Sequence, residues 1–124
     1  MFSYQKLEVY NLSKEIVKET YKITSKFPKS EIYGLISQMN RAAISISSNI
    51  AEGSGRETNK DKAHFISMAY GSLMEVSCQI EITTEIGYVD KEIYEKYIKL
   101  CVNLSVKLNN YRKYLHKNDS KTTA

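Results

Sequence analysis

Residues 91–116 read KEIYEKYIKLCVNLSVKLNNYRKYLH and give the clearest indication of the fold. Its apolar side chains recur at alternating steps of three and four residues, at Tyr94, Tyr97, Cys101, Leu104, Leu108, Tyr111 and Leu115. This uninterrupted heptad pattern is typical of left-handed bundle packing, because it keeps one apolar seam facing the neighbouring helices. The stretch therefore predicts a long α-helix that packs against other helices.

Three earlier stretches show helical periodicity, and helix-breaking residues separate them. The predicted helices span about residues 5–26, 29–52, 59–86 and 91–116 of one domain, residues 1–124, and the polar segment 117–124 is expected to fray. Phe27-Pro28 ends the first helix, because the residue before a proline is disfavoured in helical geometry. Gly53-Ser54-Gly55 and Gly87 end the next two. Short links favour antiparallel neighbours, so the predicted fold is an all-α, up-down-up-down four-helix bundle.

Apolar side chains on more than one face of several helices indicate self-association. Ile36 and Ile44 mark a second face of the second helix, and Met68 and Met74 mark one on the third. The ten tyrosines also indicate self-association, because tyrosine is favoured at protein interfaces, where its ring is buried and its hydroxyl contacts water. We therefore expect a homo-oligomer.

No catalytic or metal-binding motif is recognisable in the sequence. The two histidines, His64 and His116, are not part of paired Glu-x-x-His motifs, and no Walker loop is present. We expect a non-enzymatic protein without catalytic residues, metal or cofactor. No secretory signal or membrane span is apparent, so the predicted location is cytoplasmic. Cys78 and Cys101 lie at apolar-periodic positions, which predicts that both are buried and reduced; a disulfide or a reactive thiol is the alternative.

Charge is distributed unevenly along the chain, whose net charge is +4. Residues 1–30 carry +3, residues 31–63 carry no net charge, residues 64–95 carry −5 and residues 96–124 carry +6. This asymmetry favours contact with a polyanion or charge-complementary self-association.

The candidate nucleic-acid-binding residues are basic side chains on the first and last helices, which are adjacent in a closed bundle. They are Lys14, Lys18, Lys22 and Lys26, followed by Lys107, Arg112, Lys113 and Lys117. If the two sets merge, the resulting surface would bind phosphate backbones without reading base sequence. The alternative is that these side chains only keep the helices soluble.

A polar stripe on the second helix has an unusual composition for a solvated face. Its members step by three or four residues: Gln38, Arg41, Ser45, Asn49 and Glu52. We interpret it as a structural seam, buried in the bundle or at a subunit contact, with Glu75 as the expected partner of Arg41. An unpaired buried charge would be costly. A ligand site is the alternative.

Four sequence blocks carry a family resemblance. They read Phe27-Pro28-x-x-Glu31-x-Tyr33-Gly34-Leu35-x-x-Gln38, Arg41-Ala42-Ala43-x-Ser45-Ile46-x-x-Asn49-Ile50-Ala51-Glu52-Gly53-x-Gly55-Arg56, Ala69-x-Gly71-Ser72-Leu73-x-Glu75 and Gly87-Tyr88. The chain resembles the four-helix bundle proteins encoded within intervening sequences of bacterial 23S ribosomal RNA genes. The resemblance implies a ring-like homopentamer and transfers no catalytic residues.

The chain is also similar to the accessory protein of diversity-generating retroelements, which shares the fold. That similarity implies a basic nucleic-acid binder and, within a retroelement, a reverse transcriptase partner. In one departure, Asn40 and Arg41 stand where many relatives carry two consecutive basic residues. The expected function is weak, backbone-directed binding of RNA or DNA by a homo-oligomer. The alternative is a protein–protein interaction scaffold with no direct nucleic-acid role.

Overall fold

A computed structural model describes residues 1–122 of the chain, with side chains through Asn118. Four α-helices account for most of the described residues: α1 (Glu8–Thr24), α2 (Ser37–Ser54), α3 (Asn59–Glu85) and α4 (Lys91–Thr122). Short 3-10 helices cover Ser3–Lys6 and Lys29–Glu31, and a π-helical turn covers Ile32–Ile36. No strand occurs within residues 1–122, so the prediction of an all-α protein with four helices is confirmed.

The four helices share one hydrophobic core. Helix α1 packs against α2 and α4, and α3 packs against α2 and α4. The side chains with no solvent exposure include Ile16, Met39, Ile46, Ile50, Leu73, Ile80, Leu104 and Leu108. The heptad seam of α4 faces this core: five of its seven members are buried, and Tyr94 and Tyr111 are half-buried at its margins. Burial of this apolar area is the main driving force for folding.

Hydroxyl groups also lie in the core, and each has a hydrogen-bond partner. Thr20 Oγ1 lies 2.6 Å from the Ile16 carbonyl oxygen and 2.8 Å from the Tyr97 hydroxyl. Since the carbonyl can only accept, the Thr20 hydroxyl donates to it and accepts from Tyr97. This hydrogen bond connects α1 to α4 inside the core.

Helix α2 begins later than the sequence predicts. Gly34 has φ −112° and ψ −112°, which is outside helical geometry, and this residue separates the preceding turns from α2. A β-carbon at Gly34 would lie 2.9 Å from Glu31 Oε1, so the glycine gives the Glu31 carboxylate room. The predicted start near residue 29 is therefore wrong by about eight residues, and Ile32, which lies within the predicted helix, is exposed.

The ends of α3 and α4 follow from local sequence. Thr58 Oγ1 accepts a hydrogen bond from Asp61 N and caps the start of α3. After α3, Gly87 adopts φ +90°, the left-handed conformation expected of the closing glycine. Helix α4 continues six residues beyond its predicted end, because no glycine or proline follows Leu115 to stop it. Residues 123 and 124 of the expected frayed tail lie outside the described residues.

Candidate nucleic-acid and subunit interfaces

The α1 lysines form an exposed ridge. Lys14, Lys18 and Lys22 lie on successive turns of α1, Lys26 follows just after its end, and all four are exposed. Lys14 Nζ lies 5.1 Å from the centroid of the Tyr10 ring. Lys22 Nζ lies 3.7 Å from Glu19 Oε1, so part of its charge is offset. The ridge therefore presents cations to solvent. Lys22 is the one ridge lysine that forms an ion pair among the described side chains.

The predicted basic residues of α4 separate into different environments. Lys107 Nζ lies 3.3 Å from Glu8 Oε1 on α1, where the carboxylate offsets its charge. Arg112 faces α3: its guanidinium donates to Ser67 Oγ at 3.1 Å and lies 5.7 Å from the centroid of the Tyr70 ring.

Lys113 and Lys117 are exposed. If the two basic sets merge into one surface, Arg112 is not part of it. Arg112 is held on the α3 side of α4, because its guanidinium also donates to Asn109 Oδ1 one turn earlier at 2.6 Å.

The polar stripe of α2 lies on the surface of the chain. Gln38, Arg41 and Glu52 are exposed, whereas Ser45 and Asn49 are half-buried. Asn49 Nδ2 donates to the Ser45 carbonyl oxygen at 2.9 Å and to Ser45 Oγ at 3.1 Å. Ser45 Oγ in turn accepts from Ser72 Oγ at 2.9 Å, which ties α2 to α3. Only Ser45 and Asn49, in the middle of the stripe, thus form a polar seam with hydrogen-bond partners within the chain.

Arg41 and Glu75 line an open groove between α2 and α3 instead of pairing. Both side chains are exposed, and the ion pairs among the described side chains do not include either of them. Gln79 Nε2 lies 3.4 Å from Glu75 Oε2, and the buried Gln79 Oε1 has no partner in the described chain. The interpretation that the stripe is buried inside one bundle, with Arg41 bound to Glu75, is therefore wrong. The alternative of a subunit contact stays a prediction.

The two cysteines differ in environment. Cys101 is buried in the core, and this burial raises its pKa to about 11, an effect that a hydrogen bond with Ser77 partly offsets. Cys78 is exposed on α3, so the prediction that both cysteines are buried is wrong for this residue. Cys78 lies between the buried Val76 and Ile80 along the sequence, but the helix turns its side chain toward solvent.

Sequence reasoning missed a contact that joins the two interhelical links at one end of the molecule. The Tyr88 hydroxyl donates to Glu31 Oε2 at 3.0 Å, and the Tyr88 and Phe27 rings lie 5.3 Å apart between centroids. The hydrogen bond to Glu31, together with burial, raises the pKa of Tyr88. The Glu31 carboxylate also accepts from Leu35 N at 3.5 Å. We call the Glu31–Tyr88 contact the clasp; both of its residues belong to the sequence blocks quoted above.

The described residues offer neither a metal site nor a membrane-spanning helix. They contain no group of three or more histidine, cysteine, aspartate or glutamate side chains placed to hold a metal ion. Among the helices described, none is long and apolar enough to cross a membrane.

The helices, the shared core and the surface stripes define an all-α protein of the helical-bundle class. The family model described as 23S rRNA-intervening sequence protein matches residues 5–110, which is most of the chain. The chain belongs to this family, and the resemblance stated from the four sequence blocks is confirmed. No curated protein matches the chain.

Proposed function

We propose that the protein is a non-enzymatic homo-oligomer of antiparallel four-helix bundles that binds RNA or DNA backbones weakly in the cytoplasm. Five copies form the assembly that the family resemblance implies. The observation that carries the binding function is the exposed lysine ridge of α1.

Hydrogen bonds between helices support the antiparallel arrangement. Ser13 pairs with Ser47, and Thr24, further along α1, pairs with Asn40, which lies earlier in α2. The residue numbers thus rise along one helix as they fall along the other. The contacts of α1 with α4 follow the same order, from Glu8 and Lys107 to Thr20 and Tyr97.

Exposed apolar side chains support self-association. They occur on α2, α3 and α4 at Ile44, Met68, Met74, Ile82, Val102, Val106 and Tyr114, each at least 41% exposed. Single exposed apolar residues are ordinary, but a set of this size in a small protein favours a partner surface.

The lysine ridge supports contact with phosphate groups and offers no means of reading bases. Lys14 and Lys18 project from consecutive turns of α1, about 6 Å apart along the helix axis. Long, flexible ammonium side chains bind phosphate oxygens as point charges, and such contacts depend strongly on salt and little on sequence. The offset charges of Lys22 and Lys107 keep the expected affinity low.

Fluorescence anisotropy with a labelled RNA and a labelled DNA duplex, over a series of salt concentrations, tests this binding. We expect affinity to fall steeply with salt. The variant Lys14→Gln/Lys18→Gln should reduce the slope of log affinity against log salt by about 1.4 to 1.8, because each phosphate contact contributes about 0.7 to 0.9. The variant Lys60→Gln/Lys91→Gln is the control, since it removes the same charge from exposed sites off the ridge. Equal slopes for both variants, or no binding at low salt, would contradict the proposal.

A protein–protein scaffold is the second candidate, and Tyr33 favours it. The side chain of Tyr33 is 97% exposed beside the Gly34 kink, which is unusual for an aromatic residue in a folded segment. Purification of tagged protein from nuclease-treated extract would separate the two functions. A partner such as a reverse transcriptase that persists after nuclease treatment, and that Tyr33→Ser releases, would favour the scaffold.

A further inference from the structure

One surface of α3 has features that nothing within the chain explains. Met68, Gly71, Glu75, Cys78 and Ile82 follow one another at steps of three and four residues, and all five are exposed. Met68 and Ile82 expose 44% and 46% of their surfaces. We call these five residues the α3 outer face.

Gly71 is the least expected member of the α3 outer face. It lies in the middle of a 27-residue helix, and a β-carbon added there would meet no atom within 4 Å. Gly87 is the described glycine with positive φ, so the backbone at Gly71 has no need of glycine's conformational freedom. Glycine inside a helix is destabilising relative to alanine. Its absent side chain instead allows another backbone to approach closely.

The charge of α3 indicates what kind of surface would approach it. No lysine or arginine occurs between Lys62 and Lys91, whereas Glu75, Glu81 and Glu85 are exposed along the helix. Lysine is depleted and methionine enriched at protein interfaces compared with other surfaces. The partner surface should therefore be apolar at its centre and carry cations at its margins.

The outer side of α4 has these properties. Val102 and Val106 lie one turn apart and are 57% and 52% exposed. Lys99 precedes them by one turn, Lys113 follows, and both are exposed on the same side of the helix. We call these four residues the α4 outer face. It belongs to the segment 96–124, whose net charge is +6, whereas residues 63–85 of α3 carry three glutamates and no lysine or arginine.

We propose that the α3 outer face of one copy of this chain docks on the α4 outer face of a second copy, with Gly71 at the closest approach of the two helices. The proposal rests on the homo-oligomer of the proposed function and names the surfaces that form it. Because the two faces differ, the contact is head-to-tail, so successive copies close a ring or extend a filament.

Two variants that each block one face test this contact. Gly71→Leu fills the α3 outer face, and Val106→Asp places a charge in the centre of the α4 outer face. Multi-angle light scattering should give the mass of one chain for each variant alone. An equimolar mixture should give a dimer of one copy of each, because the α3 outer face of Val106→Asp and the α4 outer face of Gly71→Leu are intact.

Ser48→Leu is the control, since it adds an exposed leucine to α2, outside both faces, and should keep the wild-type mass. Circular dichroism verifies that each variant is helical. If Gly71→Leu does not fold, Cys78→Arg on the same face replaces it.

The outcomes separate the two proposals. A wild-type protein with the mass of one chain at micromolar concentration would refute the homo-oligomer itself. An oligomeric wild type whose mass neither substitution changes would overturn the docking surfaces and leave the oligomer standing. Variants that are single chains both alone and when mixed would also overturn the head-to-tail contact.

Discussion

Replacing Thr20 with valine should destabilise the protein by about 2 kcal/mol, although the two side chains have nearly the same shape. Thr20 is fully buried and Tyr97 is 1% exposed, so water cannot replace the hydrogen bond between them. The valine would leave the Tyr97 hydroxyl in the core without an acceptor, and an orphaned buried polar group costs about 1–3 kcal/mol. For a chain of this length, the melting temperature should fall by about 6–12 °C.

The reverse substitution should cost less. Tyr97→Phe removes the donor itself, and the Thr20 hydroxyl still donates to the Ile16 carbonyl oxygen. We expect a loss of about 1 kcal/mol, the usual net value of a hydrogen bond. The double variant Thr20→Val/Tyr97→Phe leaves no orphan, so its destabilisation should be smaller than the sum of the single effects by about 1 kcal/mol.

Urea denaturation followed by far-UV circular dichroism measures all four proteins. Protein concentration must be the same throughout, because self-association makes apparent stability depend on it. Additive effects of the two substitutions would refute the assignment of Tyr97 as donor to Thr20. A Thr20→Val variant as stable as the wild type would refute the burial of the pair.

Three other substitutions probe the core, a helix contact and the surface. Burial raises the pKa of the Cys101 thiol from about 9 to about 11, so the folded state resists its ionisation and the free energy of unfolding should fall as pH rises above about 9, by about 2 kcal/mol at about pH 10.5. Urea denaturation at about pH 9 and at about pH 10.5 should show a weaker fall in the free energy of unfolding for Cys101→Ala than for the wild type. Gly53→Ala should lower the free energy of unfolding by about 1–3 kcal/mol, because the added β-carbon would lie 2.8 Å from Phe65 Cβ on α3. Gly55→Ala is the control and should lower it less, because its β-carbon would lie 3.5 Å from the nearest atom; thermal melts compare the two variants. Arg41→Ala should change the stability of the dissociated chain by less than about 0.5 kcal/mol, and a loss of 2–4 kcal/mol would instead indicate burial of its charge.

Periodicity and breaking residues predict the four helices well, because these signals are local. The step pattern of α4 identifies its core seam, and Gly87 ends α3 with the expected positive φ. These local signals do not reveal that α2 begins only at Ser37. The sequence before Ser37 is compatible with a helix, and only the contacts of the Glu31 carboxylate explain why Gly34 interrupts it.

The rotation of each helix about its axis is the part that sequence predicts poorly. One residue corresponds to about 100° around a helix, so a small error moves a side chain from a groove to solvent. The sequence predicts a buried Cys78 and an Arg41 that is buried in the bundle or at a subunit contact, whereas both side chains are exposed in the single chain. Arg112 differs: its position on α4 was compatible with either neighbour, and its contact with Ser67 of α3 decides which one it faces.

The clasp connects the two halves of the chain at one end of the fold. Helices α1 and α2 form one arm of the molecule and α3 and α4 the other, and the chain joins the arms covalently only through the short link after Ser54. Glu31 and Tyr88 connect the same two arms at the opposite end of α2. Their hydrogen bond therefore closes the end of the bundle that the covalent link leaves open. If it is lost, the shared core still holds the two arms together, and the backbone amides near residues 31 and 88 should be the first to exchange with solvent.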